Sequence, residues 1–348
     1  MTIDTEIKYI LSLQAVRERA QRVFQLAEAN QINHFEYHED RFDAAVQYVA
    51  NIIKHFEVGG TPRIKDLLSQ WEAAGYDKDE QARSLVDLFF VSVLLDAGAG
   101  DKWRFTELGS NAVIGRSEGI AVATLHMFNN GEFALPDYLK SRADDSNRLD
   151  FEILWETLQS VLLPIWPSSR TQIDGHPVGD AWPLKVLADD AQKADRQSKC
   201  SHIQPFHKLT QWLAYSLMVP FERLLGVEWK NAEIATGLPE YRNGGLFVDL
   251  GVLTLKKESL QRGLANSGSA LPAFEATSDE IVEWRALTVA LLDKLHLALR
   301  GTELGKEKLS LAQVLESGSW KAGRELAAEN RPETKSSPIL ILGDGTLF

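Results

Sequence analysis

The sequence predicts a mainly α fold: a compact helical domain with a few short β-strands. Apolar residues recur at three- and four-residue steps through most of the chain, the spacing that places them on one face of a helix. Segments with the character of a strand are few and short. The 348 residues are 44% hydrophobic and 25% charged, the balance of a globular protein with a sizeable core. We therefore expect one large domain over 1–348, with an N-terminal helical part, 1–130, and a second part, 131–348, sharing one core.

The N-terminal part consists of amphipathic helices. Its first helix is predicted from a stripe of apolar residues, Leu13, Val16, Ala20, Val23 and Ala27. A Val-Gly-Gly-Thr sequence ends the second helix, because glycine commonly terminates helices. A short strand or turn surrounds Trp103. The predicted helices of this part, in order, span about 7–30, 39–56, 62–74, 78–96 and 117–129.

The C-terminal part is also predicted to be helical. The clearest helices span about 147–164, 206–225 and 279–299. Two apolar segments, LFVDLGVLTL and PILIL, are instead short and bounded by turn residues, which favours a buried strand or an extended segment. The small residues of LANSGSALP indicate a candidate hinge.

Charge argues against a nucleic-acid polymer as a partner. The formal net charge is −12, and the densest basic groups are pairs such as Lys256-Lys257. Proteins that bind nucleic acid usually present a basic face, because neutralising phosphates supplies their affinity. A local basic pocket for one small phosphate is compatible with this charge, so the expected partner is a small molecule.

Composition also predicts a cytoplasmic address and no membrane partner. No segment reaches the roughly 18 consecutive apolar residues that a spanning helix needs, and the N-terminus lacks the features of a signal peptide. The single cysteine, Cys200, excludes an internal disulfide and a cysteine-based zinc site. The phosphate-binding and dinucleotide-binding glycine motifs and H-E-x-x-H are absent, so no cofactor and no metal are predicted. The sequence leaves the oligomeric state open.

The stretch GLPEYRNGGLFVDLGVLTL, Gly237–Leu255, is the main candidate for a site. Asp249 lies among large apolar neighbours, where an ionised carboxylate is costly unless it is hydrogen-bonded or used in chemistry. We therefore take Asp249 as a candidate catalytic residue; the alternative is an edge strand with Asp249 on its solvated face. Further candidates in this stretch are the acid Glu240 and, for binding, Tyr241, Arg242 and Asn243.

The predicted 206–225 helix begins with two potential cations. His207 and Lys208 lie in its first turn, where free backbone N–H groups also face outward. This combination favours an anion pocket, to which Gln211 and Trp212 of the same helix would contribute. The alternative is an ordinary helix start with a surface histidine and lysine.

Three other groups are weaker candidates. His34 and His38 are four residues apart and could share a helix face for a metal or a substrate, but a polar cluster is the simpler interpretation because no third ligand is evident. Asp96 is predicted at the negative end of an apolar helix, where a carboxylate needs compensation, unless it faces water. Glu118 follows the N-cap Ser117 and either serves the helix dipole or acts as an acid.

Six motifs occur in order between about residues 34 and 255: DAGAG, RSEGIAVA, IWPSSR, GDAW, PFHKLTQWLAYSL and GLPEYRNGGLFVDLGVL. Through them the chain resembles the uracil-catabolism family of fungi and bacteria, long catalogued as a domain of unknown function. It departs from the family between Phe133 and Trp155, where the family has a longer segment with an N-P-L and G-R pattern.

The chain is also similar, over fewer residues, to the queuosine-nucleotide glycosylase (queuosine salvage) family, whose fold is related to helical DNA glycosylases. The shared features are an apolar helix ending in a polar turn, K-x-x-Q from Lys208 to Gln211, and FVD in place of an F-x-D that supplies the catalytic aspartate. That aspartate would fall on Asp249. The following D-Y-R-V-P of that family is not matched, since Leu250-Gly251 replaces Tyr-Arg.

These resemblances imply a role in uracil breakdown, in which the ring of a uracil nucleotide is opened and a ribose-linked urea results. A glycosidase that releases urea is then the missing step, and 131–348 would be its catalytic part. Asp249 would stabilise the cationic sugar and orient water, while Glu240 or Glu118 would protonate the leaving nitrogen. Residues predicted to hold a 5′-phosphate or line the pocket are His207, Lys208, Arg242, Trp212 and Tyr241.

Two alternatives remain at this point. The protein could be a non-catalytic binding subunit of a uracil-degrading assembly, given its acidic charge and many tryptophans. It could also be a metal-assisted amidohydrolase that uses His34 and His38.

Overall fold

The prediction of a mainly α fold is confirmed. A computed structural model of the protein describes residues 5–55, 62–99, 104–106, 113–115, 141–163, 170–196 and 198–343. Helices dominate these residues, and the strands are two or three residues long. Among the described helices, none is long and apolar enough to cross a bilayer. The likeness to DNA-glycosylase folds stays a prediction.

The predicted helices that fall within the described residues are present with small shifts at their ends, and further helices occur after residue 184 that were not predicted. The predicted helix over 117–129 lies outside the described residues. The first predicted helix is divided in two, because Ser12 accepts a hydrogen bond from the Ala15 N–H and so caps a new helix. The α-helices, numbered here in chain order, are α1 Thr5–Ile10, α2 Leu13–Glu28, α3 Glu39–Lys54, α4 Pro62–Ala73, α5 Lys78–Ala99, α6 Phe151–Leu162, α7 Lys185–Lys193, α8 Lys208–Leu225, α9 Tyr241–Asp249, α10 Lys257–Ser267, α11 Asp279–Leu299, α12 Leu311–Val314 and α13 Trp320–Asn330.

The strands pair two by two within the described residues and serve mainly to fix loops. Antiparallel pairs join β1 to β10, β2 to β3, β5 to β6 and β7 to β8. Parallel pairs join β4 to β9 and β11 to β12. The strands are β1 Phe35–Tyr37, β2 Arg104–Thr106, β3 Val113–Gly115, β4 Arg148–Asp150, β5 Gln172–Ile173, β6 His176–Pro177, β7 Ala181–Pro183, β8 Ile203–Pro205, β9 Glu228–Lys230, β10 Leu253–Leu255, β11 Ala273–Glu275 and β12 Leu340–Leu342.

Helix α11 forms the centre of the largest hydrophobic cluster. Ser278 caps it, and Asp279 and Glu280 complement the dipole of its first turn. Every residue from Glu280 to Leu292 is buried. A helix that is buried on all sides must be surrounded by other elements, and α11 packs against α2, α3 and α9. A second cluster fills the space between α8 and α6, with Leu213, Leu217 and Phe221 facing Leu154 and Leu158.

The prediction of a strand over LFVDLGVLTL is wrong for its first half. Residues Tyr241–Asp249 form helix α9, and only Leu253–Leu255 is a strand. The segment was predicted as a strand because it is short, apolar and bounded by turn residues, but tertiary packing outweighs the low helix propensity of the Gly-Gly pair. A Cβ on Gly244 would lie 2.8 Å from the Trp284 ring and from Thr288 Oγ1, so glycine allows α9 to approach α11 closely.

A second glycine contact fixes the start of α9 and supports a stability prediction. A Cβ on Gly323 of α13 would overlap the backbone carbonyl of Arg242. Because the clash is with backbone, a change of side-chain rotamer cannot relieve it. We expect Gly323→Ala to lower the free energy of unfolding by about 2 kcal/mol or more, after the gain in helix propensity is subtracted. Urea denaturation would measure this.

Gly245→Ala is the matched control for that variant. It is also a helical glycine, but its Cβ would lie 3.1 Å from the Pro338 Cδ, so only a small adjustment is needed. We expect a change within about 1 kcal/mol, since propensity offsets strain. Equal losses in the two variants would show that the α9–α13 approach is not close.

Candidate functional site

The predicted site residues fall at opposite ends of α9. Glu240, Tyr241, Arg242 and Asn243 lie at its N-terminus, and Asp249 lies at its C-terminus. At about 1.5 Å of rise per residue, Glu240 and Asp249 are separated by about 13 Å along the helix axis. The two carboxyl groups of glycosidases are about 5–10 Å apart. The structure therefore does not place the Glu240 and Asp249 carboxyl groups on either side of one bond to be cleaved.

Glu240 is the N-cap of α9. One carboxylate oxygen accepts hydrogen bonds from the backbone N–H of Arg242 and of Asn243, at 2.8 and 3.2 Å. Burial raises the pKa of Glu240, although nearby Lys208 and these two hydrogen bonds act in the opposite direction. The residue as a whole is only half-buried. Glu240 is therefore a carboxyl group that holds its proton more firmly than usual.

Buried hydrogen bonds hold the turn that carries Glu240. The Asn243 side chain donates to the Leu238 carbonyl and accepts from the Ser319 hydroxyl, at 3.1 and 2.8 Å. Ser319 ends a π-helical turn, Leu315–Ser319, inserted between α12 and α13. Such turns occur often at functional sites. Asn243, predicted as a substrate-binding residue, thus positions the turn.

The start of α8 is tied to the same turn. Gln211 donates to the Phe206 carbonyl and to Thr236 Oγ1, and its own oxygen accepts from the Thr236 N–H. Tyr215 donates to the Thr236 carbonyl at 2.9 Å. These bonds place the Lys208 end of α8 beside the segment that leads into Glu240. The Lys208 charge is close enough to act on Glu240, while Gln211 fixes Thr236 at the start of that segment.

A fully buried ion pair supports the start of α8. Asp180 accepts two hydrogen bonds from the Arg285 guanidinium, at 2.7 and 2.8 Å, and their side chains are 1% and 0% exposed. Asp180 also accepts from Trp182 Nε1 and from the backbone N–H of Lys208. Burial alone would raise the pKa of Asp180, but Arg285 and these donors lower it to about 2. The pair is therefore charged and fixes the orientation of the helix start.

His207 and Arg242 do not face Glu240 as a phosphate clamp. His207 has a left-handed backbone (φ 50°), is 2% exposed, and its Nε2 lies 2.9 Å from the Ile10 carbonyl. Burial lowers its pKa, so the imidazole is neutral at physiological pH. Arg242 donates to the Lys335 carbonyl and stacks over the Tyr241 ring. Lys208 and Arg242 are the predicted phosphate ligands whose charges act on Glu240, and the Arg242 side chain is already bonded to Lys335.

Asp249 lies in a different environment. Arg331 of α13's C-cap donates two hydrogen bonds to it, at 2.6 and 2.8 Å, in a fork-shaped pair. The Asp249 side chain is 5% exposed. It borders an open surface depression of about 470 Å³ that His38, Arg41 and Thr254 also line. The Asp249 side chain is therefore largely shielded from solvent, and Arg331 neutralises its charge.

The two histidines do not share a helix face. His34 precedes strand β1, whereas His38 is the N-cap of α3 and its Nε2 lies 2.8 Å from Thr254 Oγ1. The amidohydrolase arrangement with both histidines on one helix is therefore not formed. His34 instead contacts Asp279 and Glu283, which lie far away in sequence.

The remaining candidates are placed only in part. Trp212 is half-buried and packs on the α8–α6 cluster. Asp96 lies inside α5, which continues to Ala99, and its side chain is outside the described part of the structure. Glu118 also lies outside the described residues.

Sequence reasoning missed Asp180 and Arg285. GDAW was noted as a motif without a role for its aspartate. Arg285 carried a usable signal, since it is a charged residue within the apolar run IVEWRALTVALL. The same argument had been applied to Asp249 alone.

The raised pKa of Glu240 predicts how its replacement depends on pH. The folded state binds the Glu240 proton more tightly than the unfolded chain, so the wild type loses stability as pH rises from about 4.5 through the raised folded pKa. Glu240→Gln does not titrate and keeps an oxygen for the cap. We expect the variant to gain stability relative to wild type across that interval, measured by urea denaturation at several pH values. A difference that is constant with pH would contradict the raised pKa.

Comparison with known proteins gives a family. The family described as "Protein of unknown function (DUF1688)" matches residues 9–147 and 134–348. "Protein urg3" of Schizosaccharomyces pombe is 41% identical, and "Uracil catabolism protein 4" of Lachancea kluyveri is 37% identical, each over the whole of both chains. These alignments extend over 426 and 445 positions against 348 residues here, so dozens of positions have no counterpart in this chain. The two matched segments overlap over residues 134–147, within the interval from Phe133 to Trp155 where the sequence departs from the family pattern. The chain belongs to the DUF1688 family.

Proposed function

We propose that the protein acts in uracil catabolism as an N-glycosidase that releases urea from a ring-opened uracil nucleotide. The pathway is supported by the name of the Lachancea kluyveri relative. The reaction rests on one structural observation: Glu240 is a half-buried carboxyl group with a raised pKa, and the Lys208 charge acts on it. Perturbed carboxyl groups of this kind are characteristic of general acids.

The proposed reaction needs an acid because urea nitrogen leaves poorly as an anion. The bond between the ribose C1 and the urea nitrogen breaks, and Glu240 delivers its proton to that nitrogen. Water adds its hydroxide to C1, and its remaining proton restores Glu240. Since burial keeps Glu240 protonated to higher pH than a free glutamate, the residue suits this role.

Lys208 suits an anionic substrate. It lies at the N-terminus of α8, where the helix dipole also attracts negative charge. We assign it to the 5′-phosphate or another anionic group of the substrate. Asp249 lies about 13 Å away along α9, so we assign it a structural role: its ion pair with Arg331 joins α9 to the end of α13.

A substrate panel tests the proposal. Purified protein is incubated with ribosylurea, ribosylurea 5′-phosphate, uridine and UMP, and released urea and uracil are measured. We expect urea from at least one of the two ribosylurea compounds and no uracil from uridine or UMP. Release of uracil from uridine or UMP would show that the substrate carries the intact uracil ring, which contradicts the proposal.

A non-catalytic binding subunit is the alternative outcome. If none of the four compounds is hydrolysed, calorimetry with the same compounds decides whether the protein binds them. Binding without turnover, in the wild type and in Glu240→Gln alike, would contradict the glycosidase.

A further inference from the structure

Three ionisable side chains converge where β1 and α11 begin. His34 Nε2 lies 2.8 Å from Asp279 Oδ2, and one donor atom each of His34, Asp279 and Glu283 lies within 4.8 Å of the others. We propose that these three side chains bind a divalent transition-metal ion of the Zn²⁺ or Mn²⁺ type. This site does not include Glu240 and does not depend on the function proposed above.

Glu283 is the first observation that indicates a cation. Its side chain is fully buried, and among the described residues its carboxylate accepts hydrogen bonds from the backbone N–H groups of Asn33, His34 and Phe35. In the part of the chain that the structure describes, no lysine or arginine forms a salt bridge with it. A buried carboxylate with no lysine or arginine partner is costly; a protonated His34 offsets part of this cost, whereas the nearby Asp279 charge adds to it. A cation between the two carboxylates would remove both costs.

The orientation of His34 is the second observation. Its Nδ1 lies 3.0 Å from Ser259 Oγ, which directs Nε2 towards Asp279. Metal-binding imidazoles are commonly oriented by such a hydrogen bond at the other nitrogen. Two lone pairs facing each other at 2.8 Å would repel, so either a hydrogen on Nε2 or a metal ion lies between the imidazole nitrogen and the carboxylate oxygen. Arg262 lies on the Nδ1 edge, 3.3 Å away, and pairs with Glu280.

The donor atoms retain room for a metal bond. Asp279 accepts the Lys185 N–H through Oδ1, which leaves Oδ2 directed at the imidazole. Glu283 Oε2 accepts one hydrogen bond, from the Asn33 N–H. One nitrogen and two oxygens, with water completing the shell, suit Zn²⁺ or Mn²⁺ better than Ca²⁺ or Mg²⁺, which prefer oxygen alone. The His34 and Asp279 side chains are 13% and 28% exposed, so an ion has a path from solvent.

Calorimetry on the full chain tests the site. The protein is freed of metal with a chelator, dialysed, and titrated with ZnCl₂ and MnCl₂. We expect one ion per chain, and affinity weakened on the order of 100-fold in His34→Gln and in Asp279→Asn. His38→Gln is the matched control: His38 is close in sequence and bonds Thr254 instead, so its affinity should equal that of the wild type.

Crystals soaked in MnCl₂ give a second readout that needs no variant. The proposal predicts an anomalous peak between His34, Asp279 and Glu283. No binding by the wild type, undiminished affinity in His34→Gln, or a peak only at another surface site would overturn it. The cluster would then be a proton-mediated pair between His34 and Asp279.

Discussion

Glu240→Gln is expected to lower kcat for urea release by 100-fold or more. A positioned general acid typically contributes between 10²- and 10⁴-fold to a rate, and glutamine cannot donate the proton that the urea nitrogen needs. The carbonyl oxygen of glutamine can still cap the Arg242 and Asn243 N–H groups, so the turn should persist. KM should change much less than kcat, because the lost interaction belongs to the transition state. Initial rates of urea formation measure both constants.

Two matched variants separate chemistry from general damage. Glu233→Gln changes an exposed glutamate seven residues earlier and should leave kcat unchanged. Asp249→Asn changes the other carboxylate of α9, which Arg331 already neutralises, and should retain most of kcat. If Asp249→Asn abolishes turnover while Glu240→Gln does not, the roles assigned to the two ends of α9 are reversed.

Arg285→Met is expected to lower the free energy of unfolding by about 3–5 kcal/mol. Removing one partner of a fully buried ion pair leaves the other charge buried without compensation. Among the described residues, the donors left to Asp180 would be Trp182 and Lys208. Denaturation in urea measures the loss.

The double variant Arg285→Met with Asp180→Asn is the sharper control. It removes the unpaired charge, and the asparagine oxygen can still accept the Lys208 N–H, so a substantial part of the stability should return. The two losses should therefore be strongly non-additive. If the double variant is as unstable as the sum of the single ones, Asp180 and Arg285 are not coupled as the geometry indicates.

Local sequence signals were sufficient for much of the helical fold. Helix α11 was expected at about 279–299 and spans Asp279–Leu299, because Ser278 marks its start and apolar residues continue to its end. Helix α9 was missed because a Gly-Gly pair has low helix propensity, and the Trp284 and Pro338 contacts that favour glycine come from distant segments. Propensity is local, whereas close helix packing is not.

The candidate site was predictable residue by residue but not as an arrangement. The sequence singled out Lys208 and Glu240, whose charges interact in the structure, and Asp249, which lies at the other end of α9. Asp249 was chosen because it interrupts an apolar run. Its partner Arg331 is 82 residues away, and Arg285 is 105 residues from Asp180. Whether a buried charge is neutralised depends on such long-range pairs, which one sequence does not reveal.

The central claim is that Glu240 acts as the acid in urea release, and the pH dependence of that release tests it most directly. Urea formation from ribosylurea and its 5′-phosphate is measured for the wild type and for Glu240→Gln between about pH 4 and 9. The account predicts release by the wild type that declines as pH rises through a pKa above the ordinary 4.5 of glutamate, and loss of that decline in Glu240→Gln. No urea from the wild type, or the same pH profile in both proteins, would contradict it.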